Sequence, residues 1–150
     1  MESNDLWSSG FVAEPTFWIN HASRLIMREF EQLLRPLGFG TAYLPVVMLL
    51  EQHRELQQRQ LADFVRVEQP TMAALLTRMQ RDGLIVRTPH PTDARSSLIS
   101  LSPKALERLP EVMAVLGDGV GRALDGVPEE DRAALQRILR IVVTNLGGIP

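Results

Sequence analysis

The residue types best suited to catalysis or metal binding are sparse in this sequence. There is no cysteine, which excludes a thiol nucleophile, a thiolate metal site and a disulfide. The histidines His21, His53 and His90 lie far apart and lack the spacing of metal ligands. Neither a glycine-rich phosphate loop nor paired carboxylates in an evident cleft are seen. We therefore predict neither an enzyme nor a bound metal or cofactor.

Arginines, in contrast, are concentrated in the middle of the chain. Between Arg54 and Arg95 there are seven arginines and five acids, whereas the remainder has nine bases and thirteen acids. A local basic face matters more for nucleic-acid binding than the net charge, which is −2 here. On charge alone, a mixed solvated surface is the simpler interpretation.

Asp93 and Arg95 stand two residues apart in a turn-rich segment that contains two prolines. Strand-like runs at Leu84–Val86 and Leu98–Leu101 flank this segment and predict a β-hairpin. A turn does not require an arginine, so Arg95 is a candidate for binding an anion. The alternative is a surface ion pair between Asp93 and Arg95, which contributes less than about 1 kcal/mol.

The elements that would position this hairpin are two helices just before it. A short helix is predicted from about Gln58 to Val65, and a second has Pro70 in its first turn. Asp82-Gly83 ends the second helix, with the glycine in the left-handed conformation. The apolar residues of that helix face inward at helical spacing: Met72, Leu75, Leu76 and Met79. A short helix joined tightly to an amphipathic one is a helix-turn-helix pattern.

Longer helices bracket this region. One begins at Pro15 and stops at Gly38, and another begins at Ser102-Pro103. Pro110 predicts a kink or break in the latter, and three glycines after it are expected to loosen its end. A last helix starts near Pro128. One small central lobe cannot bury such broad apolar faces, so we predict that the outer helices form a symmetric homodimer.

Two stretches, QLADFVRVEQPTMAALLTRMQRDGLIVR (60–87) and DARSSLISLSPKA (93–105), resemble the MarR/SlyA family of bacterial transcription regulators. The resemblance covers nearly the whole chain, from about Pro15 to Leu146. It implies a mainly α fold with a small β-hairpin wing, built as a single unit over 1–150. A winged helix-turn-helix DNA-binding lobe would occupy about 41–101, between dimerisation helices at about 15–38 and 103–147.

The resemblance also implies a function. The homodimer would bind a pseudo-palindromic site in double-stranded DNA and regulate transcription, by default as a repressor that a small ligand releases. Many relatives carry an arginine where this chain has Ala74, so we expect phosphate contacts and the wing to supply more of the affinity. The implied DNA-binding residues are Gln69, Pro70, Thr71, Ala74, Thr77, Arg78, Arg87, Asp93 and Arg95.

Several roles follow from this interpretation. Arg95 would enter a flanking minor groove, with Asp93 orienting it rather than touching the DNA. Arg87 would either contact a phosphate or cover the edge of the sheet. The family often binds small aromatic acids or lipophilic compounds, although for Phe17 and Trp18 a dimer-interface core is the favoured interpretation. The candidate pocket residues are Phe17, His21, Arg24, Met48 and Met113.

A winged-helix module that binds proteins, without sequence-specific DNA binding, is the alternative function. The slightly acidic net charge and the small side chain of Ala74 favour it. No apolar run approaches the length of a membrane span and no signal segment opens the chain, so we expect a cytoplasmic protein with no membrane partner.

Overall fold

The computed structural model describes residues 10–148 and shows a mainly helical chain with a small antiparallel sheet, which confirms the predicted fold class. Of the single unit predicted over 1–150, residues 1–9 and 149–150 lie outside the described part. The elements are α1 (Pro15–Leu34), α2 (Leu44–His53), β1 (Glu55–Gln57), α3 (Gln58–Val65), α4 (Gln69–Arg81), β2 (Ile85–Pro89), β3 (Ser97–Leu101), α5 (Pro103–Ala123) and α6 (Glu129–Asn145).

A single hydrophobic core joins the central lobe to α1 and α5. Apolar side chains of α2, α3, α4 and the sheet form most of it, and α1 and α5 add others that include Leu34 and Val112. Ser102 ties the start of α5 to the end of α4, because its hydroxyl accepts from the Ala105 N–H (3.1 Å) and donates to the Gly83 carbonyl (2.6 Å). The lobe and these two helices therefore share one packing unit.

The sheet has the strand order β1–β3–β2, and both pairings are antiparallel. The predicted hairpin is present, although its first strand begins at Ile85 and continues to Pro89 instead of covering Leu84–Val86. The sequence did not predict β1. This strand has only three residues, and Leu56 is its single buried apolar side chain, opposite Ile99 of β3. A strand this short carries no alternating pattern of its own.

Of the kink or break predicted at Pro110, the break is absent, because α5 continues through this residue to Ala123. The carbonyl of Leu106 loses its helical partner there, but both residues are exposed, so water can solvate it. The three glycines expected to loosen the end of α5 all lie within the helix. Gly119 is buried, and a Cβ on it would lie 3.0 Å from atoms of Phe30 and Leu33, so glycine here allows α5 to approach α1 closely.

Candidate nucleic-acid interface

The helix α4 divides its residues between the core and the solvent. Its four predicted inward residues, Met72, Leu75, Leu76 and Met79, are all buried. Because a helix has 3.6 residues per turn, burying these positions turns the intervening ones outward. The exposed face includes the candidate DNA-binding residues of this helix: Gln69, Pro70, Thr71, Ala74, Thr77 and Arg78.

The connection between α3 and α4 fixes the start of α4. Arg66 adopts a left-handed conformation (φ 61°), and the Val67 N–H donates to the Ala62 carbonyl at 3.1 Å. Across this turn the side-chain amide of Gln58 donates to Oε1 of Gln69, at 3.2 Å. Gln58 was not among the candidates from the sequence, although both helices begin with a glutamine. Its contact with Gln69 depends on how the two helices pack.

The other end of α4 is held by Asp82. The hydroxyl of Tyr43 donates to Oδ2 of Asp82 at 2.7 Å, and Nε of Arg81 donates to Oδ1 at 3.1 Å. Chiefly because it accepts the Tyr43 hydrogen bond, Asp82 has a pKa below its usual value. Burial, reinforced by the bond to this carboxylate, raises the pKa of Tyr43. The bond to Tyr43 fastens the end of α4 to the segment that leads into α2.

Two polar residues further along α4 differ in what they can offer a ligand. The hydroxyl of Thr77 donates to the carbonyl of Ala73 at 2.9 Å, so its hydrogen is already used within the helix. Arg78 is exposed and, among the described residues, forms no ion pair. Arg78 is thus the α4 side chain with an uncompensated positive charge on this face, one turn beyond Ala74.

The tip of the wing is organised by Asp93. Its Oδ1 accepts from the backbone N–H of Arg95 at 3.0 Å, and its Oδ2 accepts from the Ser96 hydroxyl at 2.9 Å. These two bonds hold the pKa of Asp93 below its usual value, with the Arg95 backbone bond the larger cause. On the other side, Nδ1 of His90 accepts from the N–H groups of Thr92 and Asp93.

Asp93 thus positions the main chain at Arg95. Within the described part of the chain the guanidinium of Arg95 forms no ion pair, so the surface pair with Asp93 is not formed in this structure. The Asp93 carboxylate accepts from the Arg95 backbone and the Ser96 hydroxyl, so the Arg95 guanidinium is left without an ion-pair partner among the described residues. His90 stabilises the same turn by accepting from the N–H groups of Thr92 and Asp93, a role that the sequence did not indicate.

Arg87 links the wing to α4. Its Nε donates to Oε1 of Gln80 at 3.0 Å, and its side chain is half-buried. Gln80 was not a candidate from the sequence, because its position on α4 gives no sign of a partner on the next strand. Within a single chain Arg87 therefore joins the two exposed structures that carry the other candidate residues.

The candidate ligand-pocket residues lie on three helices. On α1 the rings of Phe17 and His21 stack, with centroids 5.9 Å apart, and Arg24 is exposed one turn further on. Met48 of α2 packs against the core, and Met113 of α5 is exposed. A shared pocket for these five residues stays a prediction.

Two further observations concern the described residues as a whole. No cluster of three or more histidine, cysteine or acidic side chains in residues 10–148 has the geometry to hold a metal ion. No single helix in this range is both long and apolar enough to cross a membrane. Only the segments Pro15–Leu37 and Thr41–His53, which are bent by 97° to each other, meet that test of length and composition together.

Comparison with known proteins supports the predicted family. Residues 44–97 match the model of the MarR family. Over 132 residues the chain is 22% identical to the HTH-type transcriptional repressor IacR of Pseudomonas putida, covering 88% of this chain and 79% of that protein. Over 86 residues it is 29% identical to the organic hydroperoxide resistance transcriptional regulator of Bacillus subtilis, covering 57% and 58%.

Solved structures share the fold. A mutant MarR from E. coli complexed with operator DNA superposes with a TM-score of 0.79 at 19% identity, over 85% of this chain and 92% of that one. AbsC, a MarR family transcriptional regulator from Streptomyces coelicolor, superposes with a TM-score of 0.78 at 22% identity, over 91% and 96%. The resemblance to the MarR family predicted from the sequence is confirmed.

Proposed function

We propose that this chain, whose winged lobe is of the MarR family, is a sequence-specific DNA-binding transcriptional regulator. The observation that carries the proposal is that α4 and the wing, both built on the same hydrophobic core, each expose candidate DNA-binding residues. The α4 helix exposes a face that starts at Gln69, and the wing presents an arginine, Arg95, that forms no ion pair within residues 10–148. The similarity to a MarR complexed with operator DNA supports the same conclusion.

In this mechanism the exposed face of α4 enters a major groove. Gln69 and Thr71 offer an amide and a hydroxyl to base edges and phosphates, and Arg78 supplies a charge for a phosphate. Ala74 lets the helix backbone approach closely and can contact a thymine methyl group. Arg95 enters the adjacent minor groove, where a narrow groove concentrates negative potential. Asp93 keeps the backbone of the wing tip in place.

We further propose that the active form is a homodimer. No residue of α6 is buried within the chain, although the helix is rich in leucine, isoleucine and valine. Its exposed apolar side chains are Leu135, Ile138, Ile141 and Val143, with Leu146 just beyond the helix. A second copy of the chain would cover this face and place two recognition helices about one turn of DNA apart, which suits a pseudo-palindromic site.

Repression and release by a ligand complete the proposal. The name of the Pseudomonas putida relative supports a repressor. The stacked rings of Phe17 and His21, followed by the exposed Arg24, offer an aromatic surface and a cation to an aromatic or lipophilic acid. Such a compound would release the DNA if it bound more tightly to a conformation of the dimer in which the two α4 helices no longer fit adjacent major grooves.

Selection from a pool of random duplexes at low salt tests this function. We expect enrichment of a sequence with two inverted half-sites whose centres are about one helical turn apart. The affinity for that sequence should fall steeply with added salt, because phosphate contacts release counterions. Enrichment of no site would contradict the proposal and favour a winged-helix module that binds proteins instead.

A further inference from the structure

We propose that Gln58 is a positioning residue which orients the amide of Gln69 so that Gln69 selects adenine. The inference rests on the proposed function as a DNA-binding regulator. Its starting observation is the hydrogen bond from Nε2 of Gln58 to Oε1 of Gln69, at 3.2 Å. The two glutamines are the first residues of α3 and α4, so the bond spans the helix-turn-helix.

Both glutamines extend from backbone positions that the fold fixes. The first turn of α3 is closed by a reciprocal capping box, in which the Gln57 N–H donates to the side chain of Gln60 at 2.9 Å. Leu61 anchors α3 in the core, and Met72 anchors α4 there. The packing of α3 against α4 therefore fixes the distance between the backbones of the two glutamines. The hydrogen bond between their amides only has to select the orientation of the side chains.

The bond decides which atom of the Gln69 amide is held. An unrestrained glutamine amide can turn over and present either its oxygen or its nitrogen to a base. While Gln58 donates to Oε1, that oxygen keeps one lone pair and Nε2 keeps both hydrogens. Adenine offers the complementary pair in the major groove, with N6–H₂ donating and N7 accepting. Gln69 held in this way matches adenine with two hydrogen bonds.

Apart from the Thr71 hydroxyl and the Arg78 guanidinium, the rest of the exposed face has few side-chain groups that can hydrogen-bond a base. Pro70 and Ala74 have no hydrogen-bonding side chain, and the Thr77 hydroxyl hydrogen is used by the Ala73 carbonyl. The second amide of α4, that of Gln80, accepts from Arg87 at the wing. Base selection by amide hydrogen bonds therefore falls to Gln69, and its orientation determines which base is preferred.

The test measures equilibrium binding of the full chain to its selected duplex and to duplexes with each other base pair at one position in both half-sites. The position studied is the adenine whose preference Gln69→Ala abolishes. We expect wild-type protein to prefer adenine there by about 5- to 150-fold per half-site, as for one bidentate contact. Gln58→Ala should reduce this preference, whereas Gln52→Ala, a change at an exposed glutamine of α2, should leave it intact.

Two further variants distinguish orientation from simple loss of contact. Gln58→Lys can only donate, so it should keep Oε1 of Gln69 engaged and retain the adenine preference. Gln58→Glu can only accept, so it should turn the Gln69 amide over and shift the preference away from adenine. Both variants change the total affinity through charge, but that change applies equally to all four duplexes and cancels in the ratio. Circular dichroism confirms that each variant is folded.

The outcomes separate this inference from the function on which it rests. The protein could select a site at which Gln69→Ala abolishes the adenine preference while Gln58→Ala and Gln58→Glu leave it unchanged. That result would overturn the role of Gln58 but would leave the proposed DNA-binding function intact. Equal weakening on all four duplexes by Gln58→Ala would likewise indicate a merely structural residue. If wild-type protein selects no duplex, the proposed function fails and the adenine preference fails with it.

Discussion

Replacing Arg95 by alanine is expected to weaken DNA binding while leaving the wing folded. The wing tip depends on a bond from the backbone N–H of this residue to Asp93, and alanine keeps that N–H. The guanidinium forms no ion pair among the described residues, so its removal leaves no acid without a partner. The variant therefore isolates the contribution of the positive charge.

The size of the effect follows from counterion release. Each phosphate that a cation neutralises contributes about 0.9 to the slope of log affinity against log salt concentration. A dimer has two copies of Arg95, so the slope should become shallower by about 2. Between 50 and 200 mM salt, wild-type affinity should therefore fall about tenfold more than that of Arg95→Ala. Fluorescence anisotropy with the selected duplex over this range measures both slopes.

Two substitutions of Asp93 test whether its bonds to the backbone matter. Asp93→Asn removes a negative charge but retains an oxygen for the Arg95 N–H, so it should bind DNA more tightly than wild type. Asp93→Ala removes the same charge together with the bonds to Arg95 and Ser96. We expect it to bind more weakly than Asp93→Asn, because the arginine would lose its fixed position.

A matched control is Arg28→Ala, which removes an exposed arginine from α1, a helix that packs against α5. It should leave the salt slope unchanged. If Arg95→Ala and Arg28→Ala gave the same slope as wild type, the minor-groove role of Arg95 would be refuted. Equal affinities for Asp93→Asn and Asp93→Ala would refute the role of Asp93 in fixing the wing tip.

Three further predictions concern packing, assembly and pH. Gly117→Ala should stabilise α5 by up to about 1 kcal/mol in urea unfolding, because its Cβ meets nothing within 4 Å, whereas Gly119→Ala should be less stable than Gly117→Ala by about 1 kcal/mol or more. Ile138→Asp should convert the proposed dimer to a monomer in sedimentation experiments, and an unchanged mass would contradict the assembly through α6. Hydrogen bonds from the Thr41 backbone N–H and hydroxyl to the Glu31 carboxylate lower the pKa of Glu31. The charged carboxylate therefore stabilises the folded chain above the pKa of Glu31 in the unfolded chain, and this stabilisation is lost as pH falls through the lower pKa of the folded chain. The advantage of wild type over Glu31→Gln in unfolding free energy should therefore disappear in acid, and a difference that does not vary with pH would refute this.

The elements predicted most accurately are those with local signals. The span of α3, Gln58–Val65, is as predicted, and Gly83 adopts the left-handed conformation expected after α4 (φ 74°). Pro45 lies in the first turn of α2, where its missing N–H costs no helical hydrogen bond. Capping, glycine and proline act over a few residues, so the sequence alone reveals them. The strand β1 was missed because its stability comes from pairing with β3, more than forty residues away.

The same distinction applies to the candidate interface. Apolar periodicity was enough to predict which face of α4 is buried and therefore which residues are exposed. The periodicity gave no information on the hydrogen-bond partners of the candidate residues. Gln69 accepts from Gln58, Arg87 donates to Gln80, and Asp93 accepts from the backbone N–H of Arg95. These pairs join different elements, or a side chain to main chain, and become visible only when packing brings the elements together.

The partners change the significance of Ala74. From the sequence, a small residue at this position implied a recognition helix with little capacity to read bases. The structure holds polar groups on either side of it instead: Gln58 bonds Gln69 before Ala74, and Arg87 bonds Gln80 after it. A side chain held in one orientation loses less conformational freedom on binding than an unrestrained one. If α4 reads DNA as proposed, its capacity to discriminate among sequences should therefore depend on residues of α3 and the wing as much as on its own.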